Sequence, residues 1–252
     1  MSSKVNTRIA ALTARFLLCP EECFLARAVS GTPARLARSV DAPAVLRWAA
    51  RLGHVYVLRR SARRTVDTHL DEIRNTAAEH GQLRFLAEIR RMGFNVGDRT
   101  IVTAAQFGHL AVVKWVWALY VRGRSAYASL ASSCSGLEMQ AAEAAAAKGH
   151  VHIIEWILTK DRRHADNIIY VAAANGQIAL LDWLALDDSR MDLAQVARGA
   201  TRGGCIAVLD WLKSKRFLWL DDHCSWAHHF NQFETCRWLK DNGFCRCGGV
   251  CH

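Results

Sequence analysis

The side chains best suited to chemistry lie at the end of this 252-residue sequence. Cys245, Cys247, Cys251 and His252 offer four soft ligands, with His223, Cys224 and Cys236 upstream. Zinc takes four thiolate or imidazole ligands, usually presented as Cys-x2–4-Cys pairs. Cys247-x3-Cys251 falls within that range, but Cys245-x-Cys247 is too tight. The spacing supplies half a site, and no bound metal is expected. Nine cysteines without an even framework or a signal peptide read as reduced thiols.

Catalytic arrangements are missing by motif. No Gly-x-Gly-x-x-Gly follows a strand, no phosphate loop ends in Lys-Ser/Thr, and no Gly-x-Ser-x-Gly elbow occurs. His109 and His150 each follow a recurring glycine, where an imidazole braces a neighbouring loop by hydrogen bonding. The expectation is a chain with no catalytic residues and no cofactor, not an enzyme.

The remaining chemistry is charge. Residues 1–100 carry 17 Lys and Arg against nine Asp and Glu, whereas residues 101–252 are nearly balanced. The excess is densest at Arg59, Arg60, Arg63 and Arg64. Such a cluster suits nucleic acid or an acidic protein. Without interleaved aromatic residues for base stacking, a solvated helix face is the stronger reading. Arg124 and Tyr127, in a Ser- and Gly-rich stretch from Gly123 to Gly136, are further candidate contacts.

These side chains must be positioned by a repeat. Ala104-Ala105-Gln106-Phe107-Gly108-His109-Leu110-Ala111-Val112-Val113-Lys114-Trp115 returns as 145–156 and as 172–183, and more loosely as 200–211 and 227–238. Earlier copies start at Ala49 and Ala77, the latter with Glu88 in the Trp position. The anchors are Gly53, Gly81, Gly108, Gly149, Gly176, Gly204 and Asn231. They recur about every 27 residues, a period typical of stacked repeats, with one longer step from Gly108 to Gly149. The alanine pair predicts close helix approach, and the glycine a left-handed helix stop, which Asn tolerates best among the alternatives. Apolar side chains at +2, +4, +5 and +8 from each anchor predict one buried face of a second helix. Trp115, Trp156, Trp183, Trp211 and Trp238 recur at +7 and are expected to seal one unit against the next. Each unit is therefore a helical hairpin that must stack on its neighbours to bury its apolar faces.

The phrase resembles the ankyrin repeat, whose middle reads Ala-Ala-x-x-Gly-His-x-x-Val-Val-x-x-Leu-Leu, over residues 45–245. The resemblance implies an all-α solenoid that recognises a protein partner of unknown identity. The chain departs from the family in its shorter period and its missing Thr-Pro-Leu-His opening, which leaves no room for the usual β-hairpin finger. Trp after the Val-Val pair resembles the divergent arrays of giant viruses of amoebae, which implies action on a host protein in the host cytoplasm.

Residues 1–44 read as a helical cap, as stacked arrays require. Leu18-Cys19-Pro20-Glu21-Glu22-Cys23-Phe24-Leu25 faintly resembles an F-box opening, which implies a ubiquitin-ligase adaptor as an alternative. The excess within 117–138 predicts a second helix running through Tyr120 and then an exposed loop, and 246–252 form a Cys/His-rich tail. No apolar run suits a membrane span or a secretory signal, so a cytoplasmic monomer is expected.

Overall fold

The computed structural model describes residues 42–124, 131–187, 191–219 and 222–244. The predicted cap and F-box-like segment lie outside these residues, as do Tyr127 and the Cys245 to His252 tail. Among the described residues there are fifteen α-helices and no strand, so the fold is all-α as expected. None of these helices is long and apolar enough to cross a membrane. They fall into two compact units, residues 42–77 with 84–95, and residues 78–83 with 96–244.

The first unit contains α1 (Ala42–Leu52), α2 (Val55–Arg60), α3 (Arg63–Thr68) and most of α4 (Leu70–Glu79) and α5 (Leu83–Arg91). Its core is built by Leu46, Leu58, Val66, Ile73, Phe85, Leu86 and Ile89, all essentially without solvent exposure. Arg47 on α1 is joined to Glu72 on α4 at 2.7 Å.

The second unit is a run of hairpins. Its helices are α6 (Arg99–Gln106) with α7 (Leu110–Arg124), then α8 (Ala131–Ala147) with α9 (Val151–Leu158). A 3₁₀ turn (Arg162–His164) leads to α10 (Ala165–Ala174) with α11 (Ile178–Asp187). The series ends with α12 (Leu193–Gly203) and α13 (Ile206–Ser214), then α14 (Asp222–His229) and α15 (Phe233–Asp241). Within it, first helices α6, α8, α10, α12 and α14 pack each on the next as one layer. The second helices lie against their own partners, and α11, α13 and α15 are neighbours in turn.

The repeated phrase explains this order. The pairs Ala104-Ala105, Ala145-Ala146 and Ala172-Ala173 are wholly buried, as are Val112-Val113, Ile153-Ile154 and Leu180-Leu181. Val116, Ile157 and Leu184, at +8, are buried too, while Leu110 and Ile178 at +2 are only half-buried. Small side chains set how closely first helices approach. On α12, a Cβ at Gly199 would stand 2.3 Å from the Tyr170 carbonyl oxygen, and one at Gly203 would stand 1.9 Å from that of Ala174. Only glycine permits this contact of α12 with α10.

All seven anchors are left-handed, from Gly53 (φ 75°) to Asn231 (φ 57°). At six of them the following residue's N–H reaches back to the first alanine of the pair, as in His109 to Ala104 at 2.8 Å and Gln232 to Ala227 at 2.8 Å. This closes a Schellman turn and satisfies carbonyls that the helix end leaves open. A second constraint acts on the glycine. A Cβ at Gly149 would lie 2.5 Å from Oε1 of Gln177, which belongs to the next hairpin. Asn231 belongs to the last hairpin among the described residues, so no such neighbour restricts it.

Of the predicted loop from Gly123 to Gly136, Gly123, Arg124 and residues 131–136 are helical instead, and 125–130 lie outside the described residues. The helix α7 continues to Arg124, and α8 already starts at Ala131. Helix-forming alanines and leucine carry α8 through Gly136, whose cost of about 1 kcal/mol is small beside the packing of the buried alanine face that follows.

Gly149→Ala should lower unfolding free energy by about 1–3 kcal/mol, through left-handed strain and collision with Gln177. Asn231→Gly should change it by less than about 1 kcal/mol. Urea denaturation of the two variants beside the natural chain measures both, and equal losses would count against the crowding explanation.

Candidate functional site

The residue after each anchor links one hairpin to the one before it. His109 Nε2 donates to the Glu79 carbonyl at 2.7 Å, and His150 Nε2 to that of Gln106 at 2.9 Å. Gln177 donates to Ala147 at 3.1 Å, the Cys205 thiol to Ala174 at 3.2 Å, and Gln232 to Arg202 at 3.1 Å. Each acceptor stands two residues before the preceding anchor. The histidines therefore brace loops, as expected, and their imidazoles are committed to backbone.

The tryptophan row differs from a buried seal. Trp115, Trp156, Trp183, Trp211 and Trp238 are all half-buried. Their rings cover the edge of the apolar layer while the indole N–H stays within reach of polar groups. Trp211 Nε1 donates to Asp182 at 2.8 Å, and Trp238 Nε1 to Asp210 at 3.0 Å. In both pairs the aspartate stands at +6 of the preceding unit. Trp156 meets Trp117 edge-on at 6.1 Å. Indole needs one acceptor when partly buried, and at Trp211 and Trp238 the preceding unit supplies it.

Arg59 and Arg63 of the arginine cluster are engaged within their own unit. Glu88, at the Trp position of its repeat, is only 5% exposed. Arg59 grips it with two bonds, Nε to Oε1 at 2.9 Å and Nη2 to Oε2 at 3.0 Å. Arg91 joins from α5 at 2.5 Å. These two guanidinium groups, Arg91 first, hold the Glu88 carboxyl down at about 2. Arg63 lies over the Phe94 ring at 5.0 Å, while Arg64 is exposed. Arg60 ends α2 and Arg124 ends α7. Of the four predicted contacts, Arg59 is thus paired with an anion of the protein itself, while Arg63 rests on a ring and keeps its charge.

A surface that the spacing did not single out runs along the first helices of the last three hairpins. Arg202 on α12 donates to the Tyr170 hydroxyl of α10 at 2.9 Å and lies 5.4 Å from the centroid of Phe230. Arg198, one turn earlier, lies 5.6 Å from the centroid of Trp226 on α14, and that residue is 40% exposed. Guanidinium planes resting on aromatic faces keep their charge while losing side-chain freedom. The sequence signal was available: Tyr170 and Arg198 both stand six residues before their anchors, and Arg202 stands one helical turn beyond Arg198.

A second polar cluster sits between α8 and α10. Glu138, Asp161 and His164 present ligand atoms within 4.8 Å of one another. Arg163 holds Asp161 with side-chain bonds at 2.9 and 3.1 Å and a backbone N–H bond at 2.9 Å, which keep its carboxyl near 2. Among the described cysteines, Cys205 carries a free thiol, whereas Cys224 is disulfide-bonded. This corrects the expectation of uniformly reduced thiols and removes Cys224 from any thiolate metal set. Burial pushes the Cys205 thiol up.

The chain matches no protein-family model, and no curated protein matches it.

Glu88→Gln should destabilise the first unit at neutral pH. The folded carboxyl titrates near 2 against an ordinary value of 4.5, so its stabilisation is complete above about 4.5 and disappears as pH falls towards 2. Urea midpoints of the natural chain and Glu88→Gln should therefore differ at pH 7, draw together below about pH 4.5 and meet only near pH 2. A gap that is constant across this range would show that charge is not its source.

Proposed function

We propose that this chain is an ankyrin-like array of short helical repeats that binds a protein partner. The face formed by Tyr170, Arg198, Arg202, Trp226 and Phe230 is its contact surface. That row of stacked arginine and aromatic side chains is the observation that carries the reading. The recurring Ala-Ala and Val-Val burial, the left-handed stop and the bond from each unit to the previous loop support the ankyrin-like assignment.

The chemistry of the surface limits the partner. Two guanidinium groups, oriented by rings, favour carboxylates, and arginine presents a planar fork for two-point contact. Trp, Tyr and Arg supply most binding energy where proteins meet. A protein segment bearing acidic and apolar side chains fits best. Recognition falls to this helix face because so short a repeat has no protruding finger.

The full chain and an Arg198→Ala/Trp226→Ala variant should be compared by affinity purification from the cells that express it. A specific partner should be recovered by the natural chain, with at least about tenfold less on the variant at unchanged melting temperature. Equal recovery by both would move the contact surface elsewhere, and no specific partner from either would overturn the interaction reading.

A further inference from the structure

We propose that Glu138, Asp161 and His164 form a binding site for a zinc-class divalent cation. The site would tie the first helix of one hairpin to the entry of the next. Glu138 projects from α8, Asp161 opens the 3₁₀ turn, and His164 closes that turn and caps α10.

Three observations point the same way. His164 is only 9% exposed, and its Nε2 is wholly buried with no hydrogen-bond partner. A buried polar nitrogen left unsatisfied opposes folding, so a ligand that satisfies it is favoured. That nitrogen faces both carboxylates, at 3.5 Å from Glu138 Oε2 and 3.9 Å from Asp161 Oδ2. These separations are too long for good hydrogen bonds. They are close to the distance between ligand atoms on a tetrahedral ion, about 3.4 Å for bonds of about 2.1 Å. Imidazole nitrogen with carboxylate oxygen suits zinc, and a water would complete four-coordination.

The surroundings are those of a prepared site. Glu138 and Asp161 side chains are 19% and 17% exposed, so the cluster is recessed and still reachable from solvent. Arg163 fixes the Asp161 carboxylate through Nε and the backbone N–H, the kind of outer support that orients metal ligands. Its own side chain is 85% exposed and can shift as a cation enters.

The repeat does not account for these residues. At the position of Glu138 relative to its anchor, the next two hairpins have Ala165 and Leu193. At the positions of His164 and Asp161, the hairpin of Gly204 has Asp192 and Ser189. Among the described residues, no other hairpin brings such groups together. Glu138 is internal to α8 because that helix starts seven residues earlier, at Ala131. The inserted residues therefore hold the first ligand on regular helix.

Zinc titrated into the metal-free full chain at pH 7.5 should bind with one equivalent at N/O ligands and raise Tm by roughly 5–10 °C at hundredfold excess over Kd. Cobalt in its place should show tetrahedral absorption without the thiolate charge-transfer band that a Cys245, Cys247 or Cys251 site would give. Glu138→Gln and His164→Gln should each weaken binding at least tenfold. Should His164→Gln fail to fold, Glu138→Gln, at a partly exposed position, still decides the matter. No binding at micromolar zinc, unchanged affinity in Glu138→Gln, or a thiolate spectrum would each overturn the proposal.

Discussion

The second unit depends on one bond repeated at each junction, from the side chain after an anchor to the carbonyl two residues before the previous anchor. Histidine, glutamine and cysteine all serve as donors at this position. What the junction requires is reach and geometry, so residue identity can vary. Where that side chain lies over the preceding glycine, the contact that joins two hairpins also forbids a Cβ beneath it. The bond also explains how the array absorbs its insertion. His150 still reaches Gln106 across a sequence separation of 44, and α7 and α8 are lengthened away from the turn.

Once the turns are fixed, the second helices must close the edge of the apolar layer. Tryptophan does so at half-burial, with the indole N–H of Trp211 and Trp238 turned to the aspartate of the unit before. The last hairpin among the described residues is covered differently. Trp219, Trp238 and Phe244 pack over Cys224, Ala227, Cys236 and Leu239, with Trp219 stacked on Phe244 at 5.2 Å. Aromatic side chains there do the covering that a further hairpin does elsewhere. In the first unit the Trp position holds Glu88, and burial of that charge is tolerable because two arginines satisfy it.

The proposed contact surface and the proposed cation site both lie at departures from the repeat. Positions that pack are fixed by stacking and have little freedom to recognise anything. Arg198, Arg202 and Trp226 face outward once the apolar side of their helices is used, and the Glu138, Asp161 and His164 cluster arises only where one first helix is lengthened. Arg59 and Arg91 are held by the protein's own Glu88 and Arg63 lies on Phe94, so these three basic side chains already have partners within the fold.

The sequence by itself determined the helical class, the left-handed stops at the seven anchors and the register of the buried stripe on the second helices. Each depends on local spacing or on the steric limits of a single residue. It also indicated that His109 and His150 brace loops. It did not determine which way the inserted segment folds, because alanine- and serine-rich segments suit loop and helix alike until a neighbouring helix accepts their face. Nor could it show that Arg59 belongs to Glu88 in a later helix, or that Glu138 meets His164. Those pairings depend on which side chains the stacked hairpins bring to one place. Only tertiary packing sets that distance, and with it whether a charged side chain is a binding group or a partner already taken.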